Sequence, residues 1–596
     1  MRILGISCYY HDAAAALIED GKLIAAAEEE RFSRVKHDFS FPKNAIDFCL
    51  KRSQISGEDI DYVVFFEKPF MKFERLMKTT FWGFPSTYWL FAQSMRTWMF
   101  DKLWIKSEIQ AYLGVPPSKV MFSEHHISHA ASAYFCSPFE ESAVITFDGV
   151  GEWSSTTVGV GRENNLELTA ETHFPHSIGL LYSAFTAFLG FEVNEGEYKV
   201  MGMAPYGNPI YADKVWQVVT QYDDGSIWLD PSYFSFHKST SRSYTNKFSE
   251  LFGTPRDPET QFFTESTGFP SYFGTKPVNY PDLVEENQFY ADIAASIQTV
   301  TEEIILNLVR AVHDQTGISN LCLAGGVALN SVANGRILNE TPFEDLYIQP
   351  AAGDGGGALG AALHFWHSGL NQTKRVVMDH VYWGEDYDDA RIASAIATRG
   401  FSADQFANDD DLVQSAAERI ASGKVIGWFQ GRAEWGPRAL GNRSILADPR
   451  KSDMKDIVNT KIKFREPFRP FAPSVLHDQT DDFFNMPTES SGYLERFMLS
   501  VVPVREKQGD SIPAVNHMGT ARIQTVYEST NPKYSALISK FFEITGIPMV
   551  LNTSFNIRGE PIVNSPEDSL NTFENSGLDS LVIGRYIIDK PEVGDS

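Results

Sequence analysis

Two histidines and two aspartates have the residue types and the sequence surroundings of a divalent-metal site. His125 and His129 are four residues apart, so on a helix both imidazoles would project from one face. Asp148 and Asp354 each follow a predicted strand in a glycine-containing turn, where a carboxylate can reach a shared cleft. The histidines alone would equally suit a structural pair, and the two aspartates favour a metal. Imidazoles combined with carboxylate oxygens suit Fe(II), Mn(II) or Zn(II), without choosing among them.

Glycine-rich turns suggest contacts with phosphate. Gly325-Gly326 follows a strand predicted over 320–323, and Gly355-Gly356-Gly357 precedes a helix predicted over 358–367. Glycines at helix N-termini let backbone N–H groups approach a phosphate closely. No GxxxxGK[ST] sequence occurs in the chain, which excludes a P-loop.

The second glycine run also allows another interpretation. Gly355-x-Gly357-x-x-Gly360 matches the dinucleotide-binding fingerprint, opens a predicted helix, and has Asp379 about 20 residues further on. Asp354 stands directly before the glycines, however, and would repel a pyrophosphate. A second mononucleotide-binding half is not visible in the sequence, so dinucleotide binding is the lesser alternative.

Basic residues cluster late in an otherwise acidic chain, whose net charge of -26 argues against general nucleic-acid binding. Around residues 461–471 the basic side chains alternate with Phe and Pro, which implies partial burial, and buried guanidiniums need anionic partners. The alternation at 461, 463, 465 and 469 predicts one face of an extended segment. The sequence thus predicts a second anion site, distinct from the metal, formed by Arg438, Arg443, Lys463, Arg465, Arg522, Asn552 and Ser554.

Short strands in two similar groups would position these residues. Strands are predicted over 3–7, 13–18 and 22–28, and the pattern returns over 142–147, 154–160 and 165–171. Each group has an acid in its first turn, Asp12 in one and Asp148 in the other, and helical segments follow. We therefore predict an α/β protein with the duplicated core of the actin-like ATPase fold. After a polar stretch near 369–384, a helix over 410–422 and a strand over 424–429 begin a separate α/β unit.

Length and composition fit a large cytoplasmic enzyme. The chain of 596 residues exceeds the size of one hydrophobic core, so at least two domains are expected. The four cysteines have no CxxC spacing, and the N-terminus reads straight into a strand rather than a signal peptide. The aromatic segment 81–105 is interrupted by Pro85, Gln93, Arg96 and Asp101, so no membrane span is expected. Its tryptophans are predicted to pack in the core, with a substrate or partner surface as the alternative.

Seven motifs, in order over nearly the whole chain, carry a resemblance to a known family. They are His11-Asp12-Ala13, residues 28–33 (EEERFS), the His125/His129 pair, and residues 197–202 (EYKVMG), 325–330 (GGVALN), 436–441 (GPRALG) and 552–561 (NTSFNIRGEP). On these motifs the chain resembles the O-carbamoyltransferases of antibiotic, nodulation-factor and polysaccharide biosynthesis (the NodU/CmcH type). That resemblance implies an actin-like domain, similar to tRNA threonylcarbamoyl-transfer enzymes, over 1–370. Within it, residues 208–285 are rich in Ser, Thr, Tyr, Asp and Pro, a composition that predicts an insertion. A YrdC-like domain over 385–590 would follow the actin-like domain.

The resemblance also implies a two-step reaction. Mg-ATP and carbamoyl phosphate would give carbamoyladenylate in the YrdC-like domain, and the carbamoyl group would then pass to a hydroxyl acceptor in the actin-like domain, releasing AMP. The metal there, Fe(II) by resemblance, would be held by the two histidines and two aspartates named above. A homodimer is compatible with the resemblance, and the acceptor cannot be read from the sequence.

Several residues receive roles in this scheme. His11 is expected to act as general base for the acceptor hydroxyl, with Asp12 either orienting it or only forming the turn. Lys199 is expected to contact phosphate and Asn330 the adenosine, beside the Gly325-Gly326 turn. An actin-like kinase or ATPase is a lesser alternative, because such enzymes have no evident need for the histidine pair or for the basic cluster. A non-enzymatic, nucleotide-sensing binding module is the remaining alternative.

Overall fold

The computed structural model describes residues 1–85, 87–89, 91–92, 95, 98, 102–239, 241–463, 465–487 and 491–591. By their contacts these residues divide into two units. The first comprises Met1–Glu29, Phe39–Met378 and Ser491, and the second comprises Glu30–Asp38, the described residues from Asp379 to 487, and those from Gly492 onward.

The first unit begins with a five-stranded sheet. Its strands are β1 (Arg2–Ser7), β2 (Ala14–Glu19), β3 (Lys22–Glu28), β4 (Tyr62–Phe65) and β5 (Val120–Phe122), in the order β3-β2-β1-β4-β5. The first three strands are antiparallel neighbours, whereas β4 pairs parallel with β1 and β5 pairs parallel with β4. Nearly every residue of β1 and β2 is buried, as expected for strands covered on both faces.

A second sheet repeats this arrangement. It consists of β6 (Glu141–Phe147), β7 (Ser154–Arg162), β8 (Asn165–His173), β11 (Asn320–Ala324) and β12 (Asp345–Ile348), in the order β8-β7-β6-β11-β12. Again three antiparallel strands are followed by two that pair in parallel. The two sheets therefore have the same strand order and directions, and the predicted duplicated α/β core of the actin-like type is confirmed.

Helices flank both sheets, and the predicted strands lie within one or two residues of the observed ones. The helices of eight or more residues are Lys43–Arg52, Pro69–Gly83, Ile105–Leu113, His125–Tyr134, Ile178–Phe188, Tyr280–Thr316, Ser331–Glu340 and Asp354–His364. The helix Tyr280–Thr316 is the longest, with 37 residues. Helix His125–Tyr134 follows the last strand of the first sheet, and helix Asp354–His364 follows the last strand of the second.

The helix predicted over 358–367 begins earlier, at Asp354, so the Gly355–Gly357 run lies inside its first turn rather than in a loop. The reason is close packing. A Cβ at Gly356 would lie 2.0 Å from the carbonyl oxygen of Ala351, and one at Gly360 would lie 1.7 Å from that of Ser128. These glycines let the helix approach neighbouring backbone, and the dinucleotide interpretation is wrong because Asp354 occupies the helix N-terminus.

Two segments of uncertain role have different structures. Residues 208–285 contain the short strands β9 (Val219–Gln221) and β10 (Ile227–Leu229), the helices Ala212–Val215 and Asn246–Phe252, and loops. Of the described aromatic residues predicted to pack in the core, Trp98 is buried, whereas Trp82, Tyr88, Trp89 and Trp104 are 78%, 53%, 80% and 60% exposed. Core packing was therefore the wrong prediction for most of them, and Gln93, Arg96 and Asp101 lie outside the described residues. No described helix has both the length and the apolar character to cross a bilayer.

The second unit is built on an eight-stranded mixed sheet in the order β13-β22-β21-β14-β15-β20-β16-β19. Its strands are β13 (Asp404–Gln405), β14 (Ile426–Phe429), β15 (Arg443–Ala447), β16 (Ala472–Leu476), β19 (Gln524–Val526), β20 (Met549–Ser554), β21 (Ser580–Ile583) and β22 (Tyr586–Asp589). A separate two-stranded sheet contains β17 (Val501–Pro503) and β18 (Thr520–Arg522). The helices of the second unit include Asp389–Arg399, Asp409–Ala421, Pro532–Thr545 and Pro566–Glu574.

Two apolar clusters form the core of this unit. Helices Asp409–Ala421 and Pro532–Thr545 contribute to one cluster, together with Trp428 and Val582, and the second cluster contains Phe429, Ile445 and Phe573. The segment Glu30–Asp38 belongs to this unit although it follows β3 in sequence. Arg31 donates to the carbonyl oxygen of Gly436, and Arg34 donates to that of Ile562. A domain boundary predicted only near residues 370–385 does not assign Glu30–Asp38 to the second unit.

Candidate functional site

The four predicted metal ligands come together in the first unit. His125 and His129 lie one turn apart on the helix His125–Tyr134, and both imidazoles are fully buried. Asp148 directly follows β6, and Asp354 is the first residue of the helix Asp354–His364. One ligand atom from each of the four residues lies within 4.8 Å of all the others.

The distances suit binding of one cation. His125 Nε2 lies 3.1 Å from His129 Nε2, 2.8 Å from Asp148 Oδ2 and 3.7 Å from Asp354 Oδ1. His129 Nε2 lies 3.8 and 3.5 Å from the same carboxylate atoms. Ligands about 2.1 Å from one ion are about 3.0 Å apart at octahedral angles and about 3.4 Å apart at tetrahedral angles. The donor set therefore fits Fe(II), Mn(II) or Zn(II).

The two carboxylates of this cluster attract positive charge. Burial alone would raise the pKa of Asp148, but hydrogen bonds from His125 and His129 hold it well below its usual range. Burial would likewise keep His129 neutral, yet the hydrogen bonds to Asp148 and Asp354 raise the pKa of His129 to about 9. Among the described residues, Oδ2 of Asp354 is buried with no hydrogen-bond partner. A buried carboxylate oxygen without a partner is costly, and a bound cation would satisfy it.

The two histidine rings make their polar contacts through Nε2 and pack against apolar side chains elsewhere. The Phe66 ring lies 5.3 Å from that of His125, and the buried Nδ1 atoms of His125 and His129 have no hydrogen-bond partner among the described residues. This departs from many metal sites, in which the second ring nitrogen donates to a carboxylate or carbonyl. The intervening His126 points elsewhere, to Thr146 Oγ1 and the Ser154 carbonyl oxygen, and burial lowers its pKa to about 3.

Glu152 fixes the start of the histidine helix, a role that sequence reasoning missed. Its carboxylate accepts hydrogen bonds from the backbone N–H of His125, at 3.0 Å, and of Lys68, at 2.8 Å. Carboxylates at a helix N-terminus satisfy N–H groups that have no partner within the helix. Glycine at 151 is also required there, because a Cβ would lie 2.8 Å from the His126 ring. The only sequence signal for this role was the position of Glu152 in the turn after Asp148.

His11 and Asp12 form a pair in the turn between β1 and β2. His11 Nδ1 lies 2.8 Å from Asp12 Oδ2. Burial opposes the imidazolium, but the hydrogen bond to Asp12, with the negative charges of Asp12, Asp354 and Asp148, raises the pKa of His11 to about 9. His11 therefore senses the charge of the metal cluster. Asp12 has φ of 27° and Tyr9 has φ of 70°, a strained backbone for non-glycine residues that is typical of functional turns.

Of the residues predicted to contact nucleotide in this unit, the two glycines adjoin the metal cluster, whereas Asn330 and Lys199 contact other parts of the protein. Gly325 needs φ of +93°, and a Cβ there would lie 1.9 Å from the Phe147 carbonyl oxygen; a Cβ at Gly326 would lie 3.4 Å from Asp148 Oδ1. This turn therefore adjoins the metal cluster. Asn330 instead caps the helix Ser331–Glu340 and bonds Gln298, and Lys199 Nζ lies 5.4 Å from the ring centroid of Phe191.

In the second unit the basic residues converge on Arg522. This side chain ends β18 and is half-buried. Desolvation together with the charges of Arg438, Arg465 and Arg469 lowers the pKa of Arg522 well below its usual range. Every charge that shifts the pKa of Arg522 is thus another arginine. Among the described residues Nε of Arg522 has no hydrogen-bond partner. An anion would offset this concentration of positive charge.

Lys463 adjoins this cluster but not on an extended segment. Residues Met454–Lys463 are helical, so Lys461 and Lys463 point in different directions, and the prediction of one shared face was wrong. Lys461 pairs with Asp579, whereas Lys463 Nζ donates to the Ser554 carbonyl oxygen at 2.6 Å and to Asn556 Oδ1 at 2.8 Å. Burial lowers the pKa of Lys463 well below its usual range, and Arg465 adds to this effect.

Two residues predicted to bind an anion, Arg443 and Asn552, instead donate hydrogen bonds to groups of the protein itself. Arg443 is fully buried, and its terminal nitrogens donate to the carbonyl oxygens of Gln430, Asn442, Gly431 and Glu385. Asn552 donates to the Ala439 carbonyl oxygen and to Ser474 Oγ. Glu434, which we did not predict, accepts from the N–H groups of Leu440, Asn442 and Arg443. These contacts shape the loop that carries Arg438.

Sequence comparisons show the family to which this chain is related. Residues 2–363 match the family described as carbamoyltransferase N-terminus, and residues 417–590 match carbamoyltransferase C-terminus. The chain belongs to the carbamoyltransferase family. This carbamoyltransferase is 44% identical to the uncharacterized protein sll1178 of Synechocystis, over 99% of the chain and 96% of that protein. It is 38% identical to the nodulation protein NolNO of Sinorhizobium fredii, over 98% of the chain and 79% of that protein.

Among solved structures, component A of the (R)-2-hydroxyglutaryl-CoA dehydratase of Acidaminococcus fermentans matches 62% of this carbamoyltransferase and 99% of its own chain. The identity is 14% and the TM-score is 0.30. At that score the match has no bearing on the site.

Proposed function

We propose that this carbamoyltransferase transfers a carbamoyl group to a hydroxyl oxygen in its first unit, after forming carbamoyladenylate from ATP and carbamoyl phosphate in its second, YrdC-like unit. The observation that carries the proposal is the convergence of His125 and His129 on one helix with Asp148, after β6, and Asp354, at the start of a second helix. Neither a kinase nor a nucleotide sensor gives a reason for this buried donor set.

The first unit would perform the transfer. A divalent ion held by the four ligands would supply Lewis-acid polarisation and neutralise charge on a departing phosphate. His11, in the turn that responds to the charge of the same cluster, would accept the proton of the attacking hydroxyl, and Asp12 would orient the imidazole through its 2.8 Å contact. Gly326 lies beside Asp148, so the Gly325-Gly326 turn, which is predicted to contact the nucleotide, adjoins this cluster.

The second unit would bind the two anionic substrates of the first step. Arg522, which is half-buried, lies within the influence of the charges of Arg438, Arg465 and Arg469, and this concentration of positive charge suits phosphate oxygens. Lys463 and Ser554 adjoin it. Atom balance requires one water: carbamoyl phosphate, ATP and water give carbamoyladenylate, phosphate and pyrophosphate. Transfer to the hydroxyl then gives the carbamate ester and AMP.

Product analysis tests the proposal. The purified protein, loaded with Fe(II), is incubated with MgATP with and without carbamoyl phosphate, and then with a panel of hydroxylated saccharides and natural products. We expect pyrophosphate only when carbamoyl phosphate is present, and additional AMP when a suitable acceptor is added. ADP as the product would instead indicate a kinase or ATPase, and nucleotide binding without turnover would indicate a sensor.

A further inference from the structure

Tyr10 lies in the turn between β1 and β2, and its hydroxyl is close to the turn that follows Asp148. A Cβ added at Gly149 would lie 3.9 Å from the Tyr10 hydroxyl oxygen and 4.0 Å from Leu180 Cδ2. The negative charges of Asp148 and Asp354 both act on this hydroxyl. The Tyr10 hydroxyl therefore lies beside the predicted metal ligands of the first unit.

The ring of Tyr10 is held in place by charged side chains. Lys72 Nζ lies 4.1 Å from the ring centroid and forms a buried ion pair with Glu67 at 2.6 Å. An ammonium group at that distance is attracted to the face of an aromatic ring. Arg75, further along the same helix, donates to the Gly151 carbonyl oxygen at 2.8 Å, so the helix is also tied to the turn beside the hydroxyl.

Unlike its neighbour in sequence, the Tyr10 hydroxyl makes no hydrogen bond to any residue that the structure describes. The adjacent Tyr9 donates its hydroxyl hydrogen to Glu108. A tyrosine hydroxyl that is removed from bulk water usually has a partner. Desolvation, with the charges of Asp148 and Asp354, raises the pKa of Tyr10 above its usual value, so the hydroxyl remains protonated and can donate a hydrogen bond.

Carbamoyl transfer develops negative charge on an oxygen atom. When the acceptor oxygen bonds to the carbamoyl carbon, its proton passes to His11, and the C–O bond to the adenylate phosphate then breaks and releases AMP. Between these events the carbonyl oxygen of the carbamoyl group carries the negative charge. A fixed, neutral hydrogen-bond donor stabilises that oxygen more than it stabilises the uncharged carbonyl of the substrate.

We propose that the Tyr10 hydroxyl donates a hydrogen bond to the carbamoyl carbonyl oxygen while that oxygen carries negative charge. This role rests on the proposed function and adds a catalytic residue to it. Tyr10 and His11 are adjacent in one turn. The group that takes the proton of the acceptor and the group that stabilises the resulting charge are thus positioned by the same stretch of backbone.

The variant Tyr10→Phe tests this role, because it removes the hydroxyl and keeps the ring on which Lys72 packs. Carbamoyladenylate is supplied to the Fe(II)-loaded protein with the hydroxylated saccharide or natural product that releases most AMP, and kcat and KM are measured. We expect kcat for transfer to fall about 10²-fold or more with the KM for carbamoyladenylate unchanged, because the lost hydrogen bond forms only with the charged oxygen. Metal content and circular dichroism should match those of the unmodified protein.

Tyr112→Phe is the matched control, since the Tyr112 hydroxyl donates to Asp47 at 2.7 Å in an exposed part of the same unit. Both kinetic constants should stay normal in this control. A normal kcat in Tyr10→Phe would overturn the role of Tyr10 alone. A raised KM with normal kcat would assign the hydroxyl to substrate binding, and loss of metal would make Tyr10 a support for the ligands; either result also overturns the proposal. If the unmodified protein transfers nothing from carbamoyladenylate, the proposed function fails, and this role fails with it.

Discussion

His125 and Asp354 occupy corresponding places in the two halves of the first unit, and their side chains meet. Each is the first residue of the helix that follows the last strand of its five-stranded sheet. His125 Nε2 lies 3.7 Å from Asp354 Oδ1. The duplicated fold thus brings two helix N-termini to one point, where each contributes a potential metal ligand.

The metal prediction follows from this arrangement. We expect His125→Ala or Asp354→Ala to abolish carbamoyl transfer and to remove the bound metal, because each change deletes one of four converging ligands. Carbamoyladenylate formation should survive. Metal content is measured by mass spectrometry of the purified protein, and the two half-reactions are followed separately.

His173→Ala and Asp314→Ala are the controls, since both side chains are largely exposed. They should retain metal and activity. If the unmodified protein carries no metal and chelators leave the transfer rate intact, the ligand assignment is wrong.

For the second unit we expect the opposite result: carbamoyladenylate formation is lost and carbamoyl transfer is retained. Arg522→Ala should lower carbamoyladenylate formation by about 10²-fold or more, because charge-assisted hydrogen bonds to a bound phosphate are lost. Supplied carbamoyladenylate should still be used for transfer. Arg505→Ala, at an exposed arginine of the same unit, should change neither rate. Equal loss with both donors would contradict the division of labour between the units.

Much of the fold was predictable because strand patterns are local in sequence. The two strand triplets are visible as alternating or continuous apolar runs bounded by turn residues, and the observed strands match them. The start of the helix at Asp354 was not predictable in this way. Three successive glycines read as a loop, and only the approach of Ser128 and Ala351, distant in sequence, explains why they are helical.

The same limit applies to the candidate site. The spacing of His125 and His129 indicates a shared helix face, but nothing local shows that Lys72 is buried beside Glu67 while Trp82 faces outward. Burial depends on partners elsewhere in the chain. For Arg443, residue type suggested a phosphate ligand, whereas four backbone carbonyl oxygens already take its terminal N–H groups.

Arg443 should accordingly affect stability more than substrate binding. We expect Arg443→Ala to lower the free energy of unfolding by about 3–5 kcal/mol, since several buried carbonyl oxygens lose their donor and the contact with the Phe429 ring is lost. Urea unfolding measures this change. The KM for carbamoyl phosphate of the remaining folded protein should be unchanged. A large rise in the KM for carbamoyl phosphate with normal stability would instead indicate that Arg443 binds carbamoyl phosphate.

His11 carries the last prediction, because its environment links the base to the metal cluster. Without a cation, burial is outweighed by the hydrogen bond to Asp12 and by the charges of Asp354 and Asp148, and the pKa of His11 is about 9. The imidazole is then protonated at neutral pH and cannot accept a proton. A cation among the four ligands neutralises those two carboxylates, so the pKa of His11 should fall, while the contact with Asp12, which raises it most, remains. NMR titration of the His11 ring, with and without Zn(II), measures this fall directly.

In the metal-loaded enzyme the transfer rate should rise with pH through the lowered pKa of His11, and His11→Asn should remove that rise at acidic pH. The same change should reduce transfer about 10²–10⁴-fold while metal content and carbamoyladenylate formation stay normal. Transfer at the normal rate in His11→Asn would mean that His11 only shapes the turn.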